Sequence, residues 1–149
     1  MIKYFALKKV TKNIIFIDGI NRTGKLLTGS LVSSLNKMEH LEFGEIFQHI
    51  IPALKLKKIS TDFSKAYLHN HINQLLYNKY LSRNVNFRKN DRTGVANYQK
   101  PDLYKRRLIV KEGNKIMPKI INDKPFLPFV THDIMCNYDQ FLKLKLDIK

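Results

Sequence analysis

Asn13-Ile14-Ile15-Phe16-Ile17-Asp18-Gly19-Ile20-Asn21-Arg22-Thr23-Gly24-Lys25-Leu26-Leu27 is the stretch on which the reading of this chain turns. Its first part, Asn13–Asp18, is wholly apolar between its end residues, the pattern of a parallel strand buried on both faces. The run stops abruptly at Asp18-Gly19. Beyond Gly24, Leu26, Leu27, Leu31, Val32 and Leu35 recur at helical spacing and predict a helix to about Lys37. Strand, glycine loop and helix in that order open an α/β unit.

Gly19-Ile20-Asn21-Arg22-Thr23-Gly24-Lys25 satisfies the G-x-x-x-x-G-K part of a phosphate-binding P-loop in the strand-to-helix context it requires. Glycines let the backbone turn tightly and bring several N–H groups to one phosphate. The following helix adds its unsatisfied N-terminal N–H groups and the positive end of its dipole. Arg22 and Lys25 supply full positive charge. A loop that hydrolyses nucleoside triphosphates has Ser or Thr after the lysine to hold Mg²⁺, and this chain has Leu26; Thr28 comes two residues too late. A Walker-B strand, four apolar residues ending in Asp, is also missing, which argues against ATP hydrolysis.

Working outward, a second short strand is expected around His40–Phe43, with Gly44 turning the chain into a helix over Glu45–Leu54. Ser60 reads as a helix N-cap with Asp62 and Phe63 in the first turn. Leu68, Ile72, Leu75, Leu76 and Tyr80 make one face of a long helix ending near Ser82. Charges, Asn90-Asp91, Gly94 and Pro101 predict irregular chain over Asn84–Lys105, and the whole of 84–125 is expected as an irregular insertion or lid. Leu108–Lys111 is expected as a short strand, Phe126–Thr131 as a second buried strand despite Pro128, and Tyr138–Leu146 as a short helix. Leu146-Asp147-Ile148-Lys149 resembles a chain entering another strand. The expected fold is therefore a single α/β domain over 1–149, a three-layer P-loop-type parallel sheet flanked by helices and incomplete at its C-terminus.

Composition narrows the class. Hydrophobic residues make up 44% of the 149, which is enough to build a core. Lysine and arginine number 27 against 12 acidic residues, a formal charge of +15 that attracts polyanions, phosphorylated nucleotides included. The basic residues are dispersed along the chain, and no zinc-finger spacing, RNP-like motif or basic zipper accompanies them, so dedicated nucleic-acid binding is not expected. One cysteine, Cys136, rules out an intramolecular disulfide framework and a cysteine zinc site. Met1–Asn13 is too interrupted by lysine for a signal-peptide core, and Ile14–Ile17 is too short to span a bilayer. A cytoplasmic location is the expectation, with no metal site.

The segment from Ile15 to Leu27 resembles the first motif of the sulfotransferase superfamily. In that family a buried strand runs into P-[KR]-[ST]-G-[TS]-[TS]-hydrophobic, a loop that wraps the 5′-phosphosulfate of the co-substrate PAPS. The resemblance implies that Asn21, Arg22, Thr23, Gly24, Lys25, Leu26 and Leu27 bind PAPS, with Arg22 at the bridging oxygen and the transferring sulfuryl group. Because sulfuryl transfer needs no catalytic Mg²⁺, Leu26 is compatible with it. Phe129-Val130-Thr131-His132-Asp133 resembles the family's K-T-H strand end, which implies that His132 is the base that deprotonates the acceptor. Histidine suits that task because its pKa lies near operating pH. Asn21 stands where the family has proline, Lys25 and Leu26 where it has two hydroxyl residues, and Val130 where it has lysine; its 3′-phosphate motif is absent.

Three functions stay open at this point. The first transfers a sulfuryl group from PAPS to a hydroxyl or amine of a carbohydrate, lipid or small molecule, with Arg22 and His132 as catalytic residues. The second is a P-loop nucleotide kinase or NTPase binding ATP, and the third a non-catalytic basic module that grips phosphate. Other candidates carry structural explanations of equal or greater weight. Asp18 either orients Arg22 or Lys25 or ends the strand. Glu42 and Glu45 either orient a substrate or cap. His69 and His71, two apart on a helix, face different ways and make no metal site. Arg83, Arg88, Arg92, Arg106 and Arg107 are by default solvated charge, and Tyr98 and Tyr104 fall in the expected lid.

Overall fold

Residues 14–17 form the expected first strand, β1, and the computed structural model describes residues 10, 13–111, 115–132, 134–144 and 146. Asp133 and 147–149, with the strand entry expected there, lie outside the described residues, as does most of the lysine-rich N-terminus. β1 (Ile14–Ile17), β2 (Glu42–Phe43) and β3 (Leu127–Val130) make a parallel sheet in the order β1-β3-β2. The molecule is thus mixed α/β, with helices carrying the chain between parallel strands.

Register decides what each face of the sheet meets. Phe16 pairs with Phe129, and their rings stack at 5.6 Å on one face. Phe47 of α2 (Glu45–Lys55) meets both edge-on at 4.8 and 5.0 Å. Phe141 of α6 (Tyr138–Lys143) meets Phe16 at 5.1 Å. Successive strand residues point to opposite faces, so Val130 looks the other way, toward α1 (Lys25–Ser33). There a Cβ added to Gly29 would come within 3.2 Å of the Val130 side chain and 2.8 Å of Leu41. Glycine is what lets α1 lie this close to the sheet. Helices therefore cover both faces.

α3 (Thr61–Tyr80) starts as its sequence predicts: the Ser60 hydroxyl accepts the Phe63 N–H at 3.1 Å. It buries Leu68, Ile72, Leu76 and Tyr80 in the main core beside Phe47, Ile51 and Leu127. Pro128 survives in the central strand for a local reason. Leu127 and Thr131 donate to β1, at Asn13 O and Ile17 O, so the nitrogen of Pro128 faces the β2 side. Pairing there is interrupted, with a bridge between Met38 and Phe126 before the proline and β2 opposite Phe129 and Val130 after it. The missing N–H falls in the gap.

Three expectations shift. α1 ends at Ser33, not near Lys37; the Ser34 hydroxyl donates back to Leu31 O at 2.6 Å and Lys37 takes a left-handed φ of 59°. Leu108–Lys111 is turn and coil rather than strand. Among its described residues, segment 84–125 carries two α-helices, α4 (Pro101–Arg107) and α5 (Ile116–Asp123), and a 3-10 turn at Val95–Asn97. Val95, Tyr98 and Tyr104 form a second small core within it. Among the described residues no helix is long and apolar enough to cross a membrane.

Candidate anion-binding loop

The loop between β1 and α1 takes its shape from three left-handed or glycine-only positions. Gly19 has φ 150°, Arg22 φ 63° and Gly24 φ 78°; at Gly24 nothing lies within 4 Å of where a Cβ would stand. Backbone freedom, not space, is what Gly24 provides. The Thr23 hydroxyl donates to Ile20 O at 2.8 Å and ties the loop across itself. Thr28 donates its hydroxyl back to Gly24 O at 3.4 Å, inside the helix.

Lys25 is the unusual member. The residue is only 7% exposed, and its ammonium donates to Gly19 O at 2.5 Å and also to Ile20 O. Among the described residues no carboxylate pairs with it. A buried ammonium held only by carbonyl dipoles is poorly compensated. Backbone N–H groups of Ile20, Asn21, Arg22 and Gly24 donate to no described protein acceptor, while the turn at Asn21-Arg22 directs that of Thr23 back toward Ile20 O. Asn21, Arg22, Thr23, Leu26 and Leu27 are all exposed at the same corner. A buried cation at Lys25, an exposed one at Arg22 and the loop's outward amides thus lie at one corner of the molecule.

Asp18 neither orients Arg22 or Lys25 nor merely ends β1. Its carboxylate accepts the Thr131 hydroxyl at 2.8 Å and the N–H groups of Ile134 and Met135 at 3.2 and 3.0 Å. It therefore caps the short 3-10 turn Ile134–Asn137 and locks the end of β3 to the end of β1. His132 sits in that locked elbow, half-buried, with Nδ1 enclosed and, among the described residues, without a hydrogen-bond partner. The ring lines a cavity of about 210 Å³ with Phe47, Gln48, Ile51, Pro52, Ile134 and Asn137. The structure thus brings His132 to the strand end beside the loop, while the cavity it lines opens toward α2 and includes no loop residue.

Several secondary candidates have structural employment. Glu42 pairs with Lys79 at 2.9 Å, and Glu45 stands in the first turn of α2. Tyr98 and Tyr104 are not lid residues. Both are buried, and their hydroxyls donate to Met38 O at 2.6 Å and to Glu39 at 2.5 Å. Arg107 is not solvated. It grips Glu39 with both terminal nitrogens at 2.7 and 2.9 Å and lies 4.1 Å from the centre of the Tyr80 ring. Sequence reasoning missed this network because its partners lie 68 residues apart. Burial pushes the Glu39 carboxyl up, but the Arg107 hydrogen bonds and charge outweigh it and hold the group below its ordinary range. No cluster of three His, Cys, Asp or Glu that could hold a metal occurs among the described residues, and Cys136 is exposed.

No protein-family model, curated protein or solved structure matches this chain.

Proposed function

We propose that the chain is a sulfotransferase-like protein on a P-loop-type fold, with the 5′-phosphosulfate of PAPS on the loop from Gly19 to Lys25. One observation carries the reading: Lys25, 7% exposed and with no carboxylate beside it among the described residues, lies in a glycine loop at the C-terminal end of β1. An anion there compensates a charge that the protein leaves uncompensated. Parallel strands with helices on both faces supply the crevice at strand ends where such ligands bind. Leu26, at the position after the lysine, has no oxygen to offer Mg²⁺, and the Thr28 hydroxyl stands two residues further on, its proton directed at Gly24 O at 3.4 Å. That favours magnesium-free chemistry over an ATP-dependent kinase.

In the proposed reaction the acceptor oxygen attacks sulfur and the bond between sulfur and the bridging oxygen breaks. The electron pair stays on the 5′-phosphate oxygen, where Lys25 and Arg22 stabilise it, and the acceptor proton passes to the His132 ring. Electrostatic stabilisation of the leaving phosphate is the largest contribution, as in phosphoryl transfer.

Calorimetric titration of the full chain with 3′-phosphoadenosine 5′-phosphate, and with ATP with and without Mg²⁺, tests this. The expected result is magnesium-independent binding of the bisphosphate, weakened at least about tenfold in Arg22→Ala and in Lys25→Ala, in line with the loss of one charge-assisted contact. Magnesium-dependent ATP binding in its place would assign the loop to a kinase or NTPase. Salt-sensitive polyanion binding with no nucleotide response would leave a basic phosphate-gripping module.

A further inference from the structure

A second cavity, of about 440 Å³, lies at the opposite end of the sheet from the loop, where Met38 and Phe126 form a bridge just ahead of β2 and β3. We propose that it is an independent site for a small organic anion, a phosphate monoester or a carboxylate. The argument is a donor surplus on its walls. Asn36 accepts the Lys37 N–H through its side-chain oxygen at 2.9 Å, which leaves its NH₂ to donate. Among the described residues the Lys37 ammonium has no partner, and the Lys100 ammonium has only Leu35 O at 3.5 Å. Arg107 uses three N–H donors, two on Glu39 and one on Lys79 O at 3.2 Å, and has two left.

Three cations on these walls, Lys37, Lys100 and Arg107, stand against two carboxylates, Glu39 and Asp123, and the carboxylates are partly engaged. Both Glu39 oxygens receive Arg107, and one also receives Tyr104. One oxygen of Asp123 receives the Tyr80 hydroxyl at 3.1 Å. The walls are pre-organised by the same contacts: a bidentate ion pair, a tyrosine–carboxylate bond and a strand bridge fix them before any ligand arrives, which lowers the ordering cost of binding. The volume falls within the range of small-molecule sites. The site owes nothing to the loop, so it stands or falls separately from the sulfotransferase reading.

The test is a two-dimensional NMR titration of the full chain at about 150 mM salt, where long-range attraction is screened. Glycerol 3-phosphate and citrate serve as separate probes, and the amides of Asn36, Lys37 and Asn122 report on the cavity. Saturable shifts there with either probe support the site, and the probe that binds names the class. The shifts should weaken at least fivefold in affinity in Lys37→Ala/Lys100→Ala. They should weaken again in the near-isosteric Asn122→Asp, which keeps the fold and adds a negative charge. They should persist in Arg22→Ala and in the exposed control Lys57→Ala/Lys58→Ala. Shifts that do not saturate, or that fall equally in the Lys57/Lys58 control, would overturn the proposal.

Discussion

Gly24 and His40 show how single residues set the terms for their surroundings. At φ 78° with open space around it, Gly24 tolerates a methyl group sterically but not conformationally. Gly24→Ala should therefore cost about 1–2 kcal/mol of stability, lowering Tm by several degrees in calorimetry, and should weaken loop binding of the bisphosphate further. An unchanged Tm would mean that the left-handed backbone is not what glycine supplies there. His40 is packed edge-on against Tyr98 and Tyr104 at 5.5 and 6.2 Å. Burial first, and the nearby Lys79 charge second, push its pKa down to about 4 from an ordinary 6.5. In the unfolded chain the imidazole binds a proton more readily, so its contribution to stability is full above pH 6.5. That contribution declines as pH falls toward 4, by roughly 3 kcal/mol in total. Urea denaturation across that window should show the decline, and His40→Gln should flatten it.

At the scale of elements, two interactions define how the helices are held. Glu39, just ahead of β2, and Arg107, at the end of α4, form a buried pair with side chains 4% and 10% exposed. Removing one partner leaves the other charged and dry, so Glu39→Ala should cost about 3–5 kcal/mol. The double change Glu39→Leu/Arg107→Met should cost less than the sum of the single changes. Additive losses in chemical denaturation would show that the two groups are not coupled in this way. α1 shows where sequence reading succeeded and where it misled. The helix itself was legible from Leu27, Leu31 and Leu35 at helical spacing, yet these are 68%, 63% and 55% exposed, and the helix buries Lys25, Gly29 and Ser33. Close approach to Val130 and Leu41 selects small residues for the inner face, so hydrophobic periodicity identified the element and pointed to the wrong side of it. β1, the Ser60 cap and β3 were readable because local chemistry determines them. The Glu39–Arg107 pair and the Asp18 cap at Thr131 were not, because nothing local marks partners 68 and 113 residues away. The tight turn between β1 and α1 was legible from Gly19 and Gly24; the burial of Lys25, the enclosed Nδ1 of His132 and its cavity were not.

For the whole molecule the question is whether its charge of +15 acts as a diffuse field or through built sites. A field attracts any polyanion, and binding to a nucleic-acid strand then releases condensed counterions, so affinity falls steeply with salt. A mononucleotide carries no condensed counterion layer. If it is gripped by the amides of the loop, by the buried Lys25 and by Arg22, raising the salt only screens the approach of charges already in contact. The expected outcome is a clear difference in slope. Between about 50 and 200 mM salt, affinity for a single-stranded oligonucleotide should fall by a factor of about a hundred or more, given several phosphate contacts. Affinity for 3′-phosphoadenosine 5′-phosphate should fall by less than about tenfold over the same range. Fluorescence anisotropy for the oligonucleotide and calorimetry for the nucleotide measure the two slopes on one preparation. Equal slopes would mean that the nucleotide is held by the general basic surface and that Lys25 contributes no more than any exposed lysine. A shallow nucleotide slope that steepens in Lys25→Ala would tie the difference to the one cation that, among the described residues, the fold buries without a counter-charge.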